Sequence, residues 1–427
     1  MHPGLRAADE KMRAAGVSEA ARTAFARRFE RLVGGDSGVM GGDELEPVRG
    51  LRAFDDLPDE CEPAVLDRAV VIKLNGGLGT SMGLSAPKSL IEVKPGASFL
   101  DVIVRQVLAL RRRHSARVPL VLMNSFATRE PTLEALGRHP ELAAGDLPLD
   151  FLQSREPKLD AGSLAPVDWP PDPELEWAPP GHGDIYPALI GSGMLAALLE
   201  RGFEYAFVSN SDNLGAVLEP RILSWFAAER LPFLMEVAEG VEGERKGGHI
   251  ARRDGRLVLR ETAQVPDDDD SFADYRRWRY YNTNNLWFHL PTIADRGGDL
   301  DLPLIVNHKT VDPTDPASPE VVQLETAMGA AVGAIDGAAA LLVPRTRFAP
   351  VKTTNDLLVV RSDAYVLRDD DARVVPAPER EGMAPPLVDL DPRYFKLLRD
   401  FEARFPSGPP SLVRAERLVV RGDVVFP

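Results

Sequence analysis

Gly76, Gly77, Gly79 and Lys88 stand in VVIKLNGGLGTSMGLSAPKSLIEV (70–93), where an apolar run leads into a glycine-rich turn and then, past Pro87, a single cation. Val70, Val71, Ile72 and Leu74 form a short apolar run, mostly β-branched, of the kind expected for a strand buried on both faces, and Asn75 and the glycines punctuate its end. Lacking Cβ, glycines let backbone N–H groups converge on an anion or a base edge and tolerate positive φ, and Lys88 adds a full positive charge. This is the outline of a phosphate and nucleotide site. Two familiar glycine motifs do not fit it. The Walker form ends Gly-Lys-Ser/Thr, whereas Lys88 follows Pro87, and the dinucleotide form needs a glycine where Met82 stands. Three glycines alone would read better as a turn that merely reverses the chain.

A second segment, VSNSDNLGA (208–216), carries Asn210, Asp212 and Asn213 at the end of the apolar run 205–208. Open α/β sheets bind ligands at the carboxyl ends of their strands. Mg²⁺ takes oxygen donors and often only one or two carboxylates plus substrate phosphates, so Asp212 suffices as a protein ligand. Taken alone, the segment reads more simply as an Asn-Asp turn whose side chains cap their own backbone. His182, between Gly181 and Gly183, can bring an imidazole close to a phosphate. No Ser-His-Asp or Cys-His motif is recognisable among seven histidines and one cysteine.

The elements that must position these residues follow an α/β pattern. Leu100, Ile103, Val104, Val107 and Leu108 keep the spacing of a helix's buried stripe, with Ser98 and Asp101 as an N-terminal capping box, and the strand VPLVLM (118–123) follows. Strand, helix and apolar strand in that order predict a parallel α/β sheet. Further strands are expected at Tyr205 to Val208, Phe233 to Val237 and Leu357 to Val360. Residues 8–33 read as one or two surface helices that precede the first strand and pack on the main domain. Proline excludes a continuous helix or central strand between Leu159 and Gly183, and LVRAERLVVRGDVVFP at the end suggests two short strands.

Composition narrows the class. The 427 residues suffice for more than one core. At 44% hydrophobic and 27% charged the chain is ordinary for a globular fold, and no apolar stretch approaches the ~20 residues of a membrane span. A net charge of −15 argues against nucleic acid as a partner, since that binding needs a basic face, while small anions can still be held by a few local cations. The acidic run Asp267 to Asp270 reads as a solvated loop. Cys61 is the only cysteine, so no intrachain disulfide forms, and the N-terminus lacks the apolar core of a secretion signal; a cytoplasmic location is expected.

The segment LNGGLGTSMG...PKSLIEV resembles the nucleotide-binding signature of the eukaryotic-type UTP:glucose-1-phosphate uridylyltransferases, the UDP-glucose pyrophosphorylases. Matching segments continue in family order: MNSFAT (123–128), FLQSREPKL (151–159), PPGHGDIY (179–186), VSNSDNLGA (208–216), KGGHIA (246–251), YNTNNLWF (281–288), QLETAMGAAV (323–332) and APVKTTNDLLVVRSD (349–363). The resemblance implies a Rossmann-like nucleotidyltransferase (GT-A-like) fold, a mixed sheet flanked by helices. The chain is expected to divide into an N-terminal helical segment at 1–60 packing on the core, a catalytic nucleotidyltransferase domain at 61–365, and at 366–427 a linker with a short β element that resembles a truncated left-handed β-helix. The expected reaction is uridylyl transfer from UTP to glucose 1-phosphate, giving UDP-glucose and pyrophosphate with Mg²⁺.

By the same resemblance, Lys88 meets the triphosphate that leaves as pyrophosphate, and Lys352 neutralises glucose 1-phosphate and the α-phosphate as they meet. Asp212 is the metal ligand, and Asn210 lies beside the sugar. Met123 and Gln153 contact the uracil, with Leu74, Gly76, Gly77 and Gly181 completing the nucleotide pocket. His182 is a ligand contact, and Gly248, Glu261, Asn282 and Asn284 suit the glucose hydroxyls. The second pKa of a phosphate monoester is about 6, so the nucleophile is already ionised and no base is required. Other sugar 1-phosphates, such as those of galactose or N-acetylglucosamine, remain open, as does a non-catalytic UDP-sugar-binding protein, although Lys88, Asp212 and Lys352 are all present. Oligomeric state is left open.

Overall fold

The computed structural model describes residues 2–241, 247–298 and 300–427. It is a mixed α/β protein with a central mixed sheet and flanking helices. The chain divides into two compact units, each entered three times: Met1–Cys61, Phe151–Val208 and Arg221–Val343 in the first, and Glu62–Asp150, Ser209–Pro220 and Pro344–Pro427 in the second. Among the described residues no helix is long and apolar enough to cross a membrane.

In the first unit the strand Tyr280–His289 is central. It pairs antiparallel with Tyr205–Val208 on one side and with Phe233–Glu239 on the other, and the latter runs parallel to Ala339–Leu342. The hairpin of His249–Arg253 and Arg256–Arg260 closes through Asp254 and Gly255, both at positive φ (52° and 77°), the backbone that a two-residue turn between twisted strands requires. Two helices, Pro3–Ala14 and Glu19–Val33, precede the sheet. Their apolar faces pack inward: Leu5, Ala8, Met12, Phe25 and Phe29 are buried in one cluster with Leu159, Leu304, Val322 and Leu324. Each fully buried Leu or Phe there is worth about 2 kcal/mol.

The second unit is built on the parallel pair Ala69–Asn75 and Leu120–Asn124. The helix Phe99–His114 connects them, and Ser98 and Asp101 form the capping box that the sequence predicts. At the strand ends, Asn75 Nδ2 donates to Asn124 Oδ1 (2.7 Å) and Thr132 Oγ1 (2.9 Å), locking the two carboxyl termini together.

Three expectations are corrected. Leu357 to Val360 belongs to the helix Thr354–Arg361, because Thr353 and Asp356 form a capping box immediately before that short apolar run. A short apolar run does not by itself separate strand from helix. Of the two terminal strands only Arg417–Val420 forms, running parallel to Leu387–Leu390. The acidic run is not wholly solvated: Asp269 turns inward to accept from Gly42 N (2.7 Å) and Ser271 N (2.8 Å) and to pair with the buried Arg260.

Candidate functional site

In the second unit the glycine loop leaves the strand Ala69–Asn75 and folds back on itself. Lys88 N donates to the Gly77 carbonyl (3.2 Å), Leu84 N to the Gly79 carbonyl (3.0 Å), and Leu78 bridges Pro87. The return brings Lys88 back beside the glycines. Gly76, Gly77 and Gly79 do not use positive φ; in this loop Gly83 does, at 75°. What Gly77 offers is space, since a Cβ there would meet nothing within 4 Å. Leu74 and Met123 are register partners on the parallel pair, which places the two side by side at the strand ends.

The loop after Asn210 carries Asp212 to the same strand end. Ser211 donates to the Leu74 carbonyl through both its N–H (3.1 Å) and its hydroxyl (2.8 Å). Lys88 Nζ then donates to Asp212 Oδ2 at 2.6 Å, with the two side chains 17% and 21% exposed. Asp212 Oδ1 is buried and has no hydrogen-bond partner. An orphaned carboxylate oxygen beside an occupied one is a fit for a hard cation that draws its remaining ligands from phosphates and water. Among the described residues no three His, Cys, Asp or Glu side chains group as a metal cage, so a cation at Asp212 would draw on substrate phosphates and water for much of its coordination.

Lys352 belongs to the same unit. Its backbone N–H donates to Asp356 Oδ2 (2.9 Å), Val351 N donates to the Asp212 carbonyl (3.1 Å), and its side chain is exposed. One unit thus brings together Leu74, Gly76, Gly77, Lys88, Met123, Asn210, Asp212 and Lys352.

The first unit holds the other residues in two groups. Gly248, Glu261, Asn282 and Asn284 come together: Asn282 N donates to the Gly248 carbonyl (2.8 Å), and a Cβ at Gly248 would meet Glu261 Oε2 at 2.5 Å. Lys246, which opens the KGGHIA segment, lies outside the described residues. The YNTNN segment forms a bulge. Register shifts between Met235 and Val237, which face Leu286 and Asn282, so Glu236 stands opposite Thr283–Asn285. Asn284 has φ 57° there, a conformation asparagine tolerates better than most residues, and Asn282 Nδ2 donates to its Oδ1 (2.8 Å). The bulge re-aims one amide without ending the strand.

Gln153, Gly181 and His182 make the second group. A Cβ on Gly181 (φ 77°) would meet the Thr326 carbonyl oxygen at 2.6 Å, so the turn requires glycine. Met328 N–H donates to His182 Nδ1 (2.9 Å), which puts the imidazole proton on Nε2, and burial pushes this histidine down to about 4. His182 is therefore a neutral donor near neutrality. Asp184 accepts from Ser154 N (2.6 Å), tying the turn to the residue after Gln153, and burial pushes its carboxyl up to about 6.

Sequence reasoning missed Lys73. It is 2% exposed in the middle of the strand Ala69–Asn75, and Nζ donates to Ser209 Oγ (2.7 Å) and the Ala216 carbonyl (2.6 Å), the two ends of the loop that carries Asp212. A lysine inside an otherwise apolar strand is the signal that points to it, because such a residue stays buried only with partners.

The family model "UTP--glucose-1-phosphate uridylyltransferase" matches residues 23–427. The chain is 43% identical over 363 residues to a probable UTP–glucose-1-phosphate uridylyltransferase of Schizosaccharomyces pombe, covering 84% of this chain and 70% of that one. With the Solanum tuberosum enzyme of that name it shares 39% over 423 residues, covering 96% and 86%. Among solved structures, a mutant UDP-glucose pyrophosphorylase from Leishmania major in complex with UDP-glucose superimposes with a TM-score of 0.93 at 45% identity, covering 99% of this chain and 92% of that one. A family match over nearly the whole length, joined to relatives of this identity and coverage, establishes that the chain belongs to the UTP–glucose-1-phosphate uridylyltransferase family.

Proposed function

We propose that the chain transfers the uridylyl group of UTP to glucose 1-phosphate, forming UDP-glucose and pyrophosphate. The observation that carries this reading is the cluster of Lys88, Asp212 and Lys352 in one unit, in a chain that superimposes on a UDP-glucose-bound pyrophosphorylase. The phosphate oxygen of glucose 1-phosphate attacks the α-phosphorus, the bond to the bridging oxygen breaks, and pyrophosphate leaves with that electron pair. The attacking phosphate is ionised at neutral pH, so the protein's task is to bring two polyanions together in line.

The residues divide that task. Lys88 neutralises the triphosphate, and the exposed ammonium of Lys352 neutralises the attacking phosphate and the α-phosphate. The open space over Gly77 admits the nucleotide close to the backbone. Gln153 presents an amide edge to uracil, with Leu74, Gly76, Met123 and Gly181 around the nucleoside. His182 donates from Nε2. Asn210, Gly248, Glu261, Asn282 and Asn284 hydrogen-bond the sugar. Asp212 would hold Mg²⁺, which would supply charge neutralisation for the phosphate oxygens.

The parallel pair Leu387–Leu390 and Arg417–Val420 has the strand relation found between successive coils of a β-helix, and we read it as a short element of that kind. The single cysteine suits a reducing compartment, which supports the cytoplasm. The test is pyrophosphate release from the purified protein with UTP, Mg²⁺ and a panel of sugar 1-phosphates. Activity led by glucose 1-phosphate and lost with EDTA is expected. Preference for galactose or N-acetylglucosamine 1-phosphate would change the substrate, and UDP-glucose binding without turnover would mark a binding protein.

A further inference from the structure

We propose that Asn213 is a positioning residue that registers the loop carrying Asp212 against the segment carrying Lys352; this rests on the uridylyltransferase reading above. Asn213 is 1% exposed. Its Oδ1 accepts from Ala349 N (3.0 Å) and from Gly215 N (3.2 Å), and its Nδ2 donates to the Arg347 carbonyl (3.0 Å). Its backbone bridges Pro350, and the neighbouring Asp212 carbonyl accepts from Val351 N (3.1 Å). Residues 212 and 213 therefore grip the chain from 347 to 351, and Lys352 is the next residue along.

The grip is tight because the backbones touch. A Cβ on Gly215 would collide with the Thr346 carbonyl oxygen and approach Arg347 Cα at 3.2 Å. On its far side, Lys352 is fixed by the bond from its N–H to Asp356 Oδ2. Its backbone is thus anchored on both sides while its ammonium projects outward. The chemistry requires this, since a lysine that must meet two phosphates at once gains from a fixed base. An error of about 1 Å in placing such a group can cost about a hundredfold in rate.

Asparagine is the side chain that suits the position. Reading a carbonyl and an N–H two residues apart needs a donor and an acceptor on one short planar group. Aspartate would set a carboxylate oxygen against the Arg347 carbonyl, and alanine would remove all three bonds. The base of the loop is held separately by Lys73, through Ser209 and Ala216. Loss of the Asn213 side chain therefore loosens the apex, where Asp212 and Lys352 are coupled.

A double-mutant cycle on the full chain separates positioning from general support. Turnover is measured for wild type, Asn213→Ala, Lys352→Ala and the double variant, with Mg²⁺, UTP and glucose 1-phosphate. Asn213→Ala is expected to lower kcat about 10- to 100-fold in the wild-type background but by a several-fold smaller factor in the Lys352→Ala background, because the part of its effect that passes through Lys352 is then lost. An equal factor in both backgrounds, or an unchanged kcat in the first, overturns the proposal. If Asn213→Ala does not fold by circular dichroism, the near-isosteric Asn213→Asp replaces it. The same non-additivity is then expected, and additivity is equally fatal. A wild-type protein without uridylyl transfer would instead overturn the functional reading.

Discussion

Replacing Lys88 with methionine should move two measurements in opposite directions. In the free protein the ammonium lies 2.6 Å from Asp212 Oδ2, with the side chains only 17% and 21% exposed. A hydrogen bond to a charged group is worth about 1.5–3 kcal/mol, and partial solvation of this pair reduces that to about 1–2 kcal/mol. A divalent cation seeking Asp212 without nucleotide must share or displace that ammonium. Lys88→Met keeps the apolar stem and removes the competitor, so Mn²⁺ affinity in the absence of UTP should rise about 5- to 30-fold, the equivalent of 1–2 kcal/mol. Turnover should fall steeply, because the triphosphate loses a neutralising charge. Mn²⁺ binding is read by electron paramagnetic resonance on the full chain, with Lys88→Met/Asp212→Asn as the control that abolishes the gain. An affinity unchanged or weakened in Lys88→Met would refute the idea that Lys88 occupies the carboxylate a metal needs.

Gln153→Leu should raise the KM for UTP while leaving that for glucose 1-phosphate within about threefold; an unchanged preference for UTP over CTP would remove Gln153 from base recognition. Lys73→Met removes two charge-assisted bonds inside the core and should cost about 2–4 kcal/mol, seen as a lower urea midpoint; an unchanged midpoint would show that the loop ends need no such tie. Asp184 predicts a pH-dependent difference. Burial raises its carboxyl from 3.8 to about 6, so the folded state holds a proton that the unfolded chain releases. The stability from that proton is complete below pH 3.8 and is lost as the pH rises through 6. The advantage of Asp184→Asn over wild type should therefore grow from pH 4 and level off above 6, at no more than about 3 kcal/mol, and a difference independent of pH would contradict it.

The local rules carry far along this chain. The capping box of Ser98 and Asp101, the strands at 205–208 and 233–237, and the proline-broken stretch after Leu159 follow from side-chain chemistry within a few residues, and the structure has them. Leu357 to Val360 shows the limit. The apolar run reads as a strand until the Thr353–Asp356 box is weighed, after which helix is the better reading. Contacts between distant residues leave little trace. Lys88 and Asp212 are 124 positions apart, and nothing in either motif announces a 2.6 Å bond. Asn213 looks like one more turn residue until its amide is seen to read Arg347 and Ala349. Asp269 looks solvated among its neighbours because the cation that turns it inward, Arg260, comes from a hairpin strand. Lys73 alone left a mark, a charge where the strand pattern asks for an apolar residue.

The direct displacement at the α-phosphorus, with no residue acting as a nucleophile, is tested most sharply by its stereochemistry. UTP made chiral at the α-phosphorus with sulfur would be turned over with glucose 1-phosphate, and the configuration of the UDP-glucose product determined by phosphorus NMR. A single in-line attack predicts inversion. Retention would mean two successive displacements through a uridylyl-protein intermediate, and would contradict a site that works by placing Lys88, Asp212 and Lys352 around two phosphates.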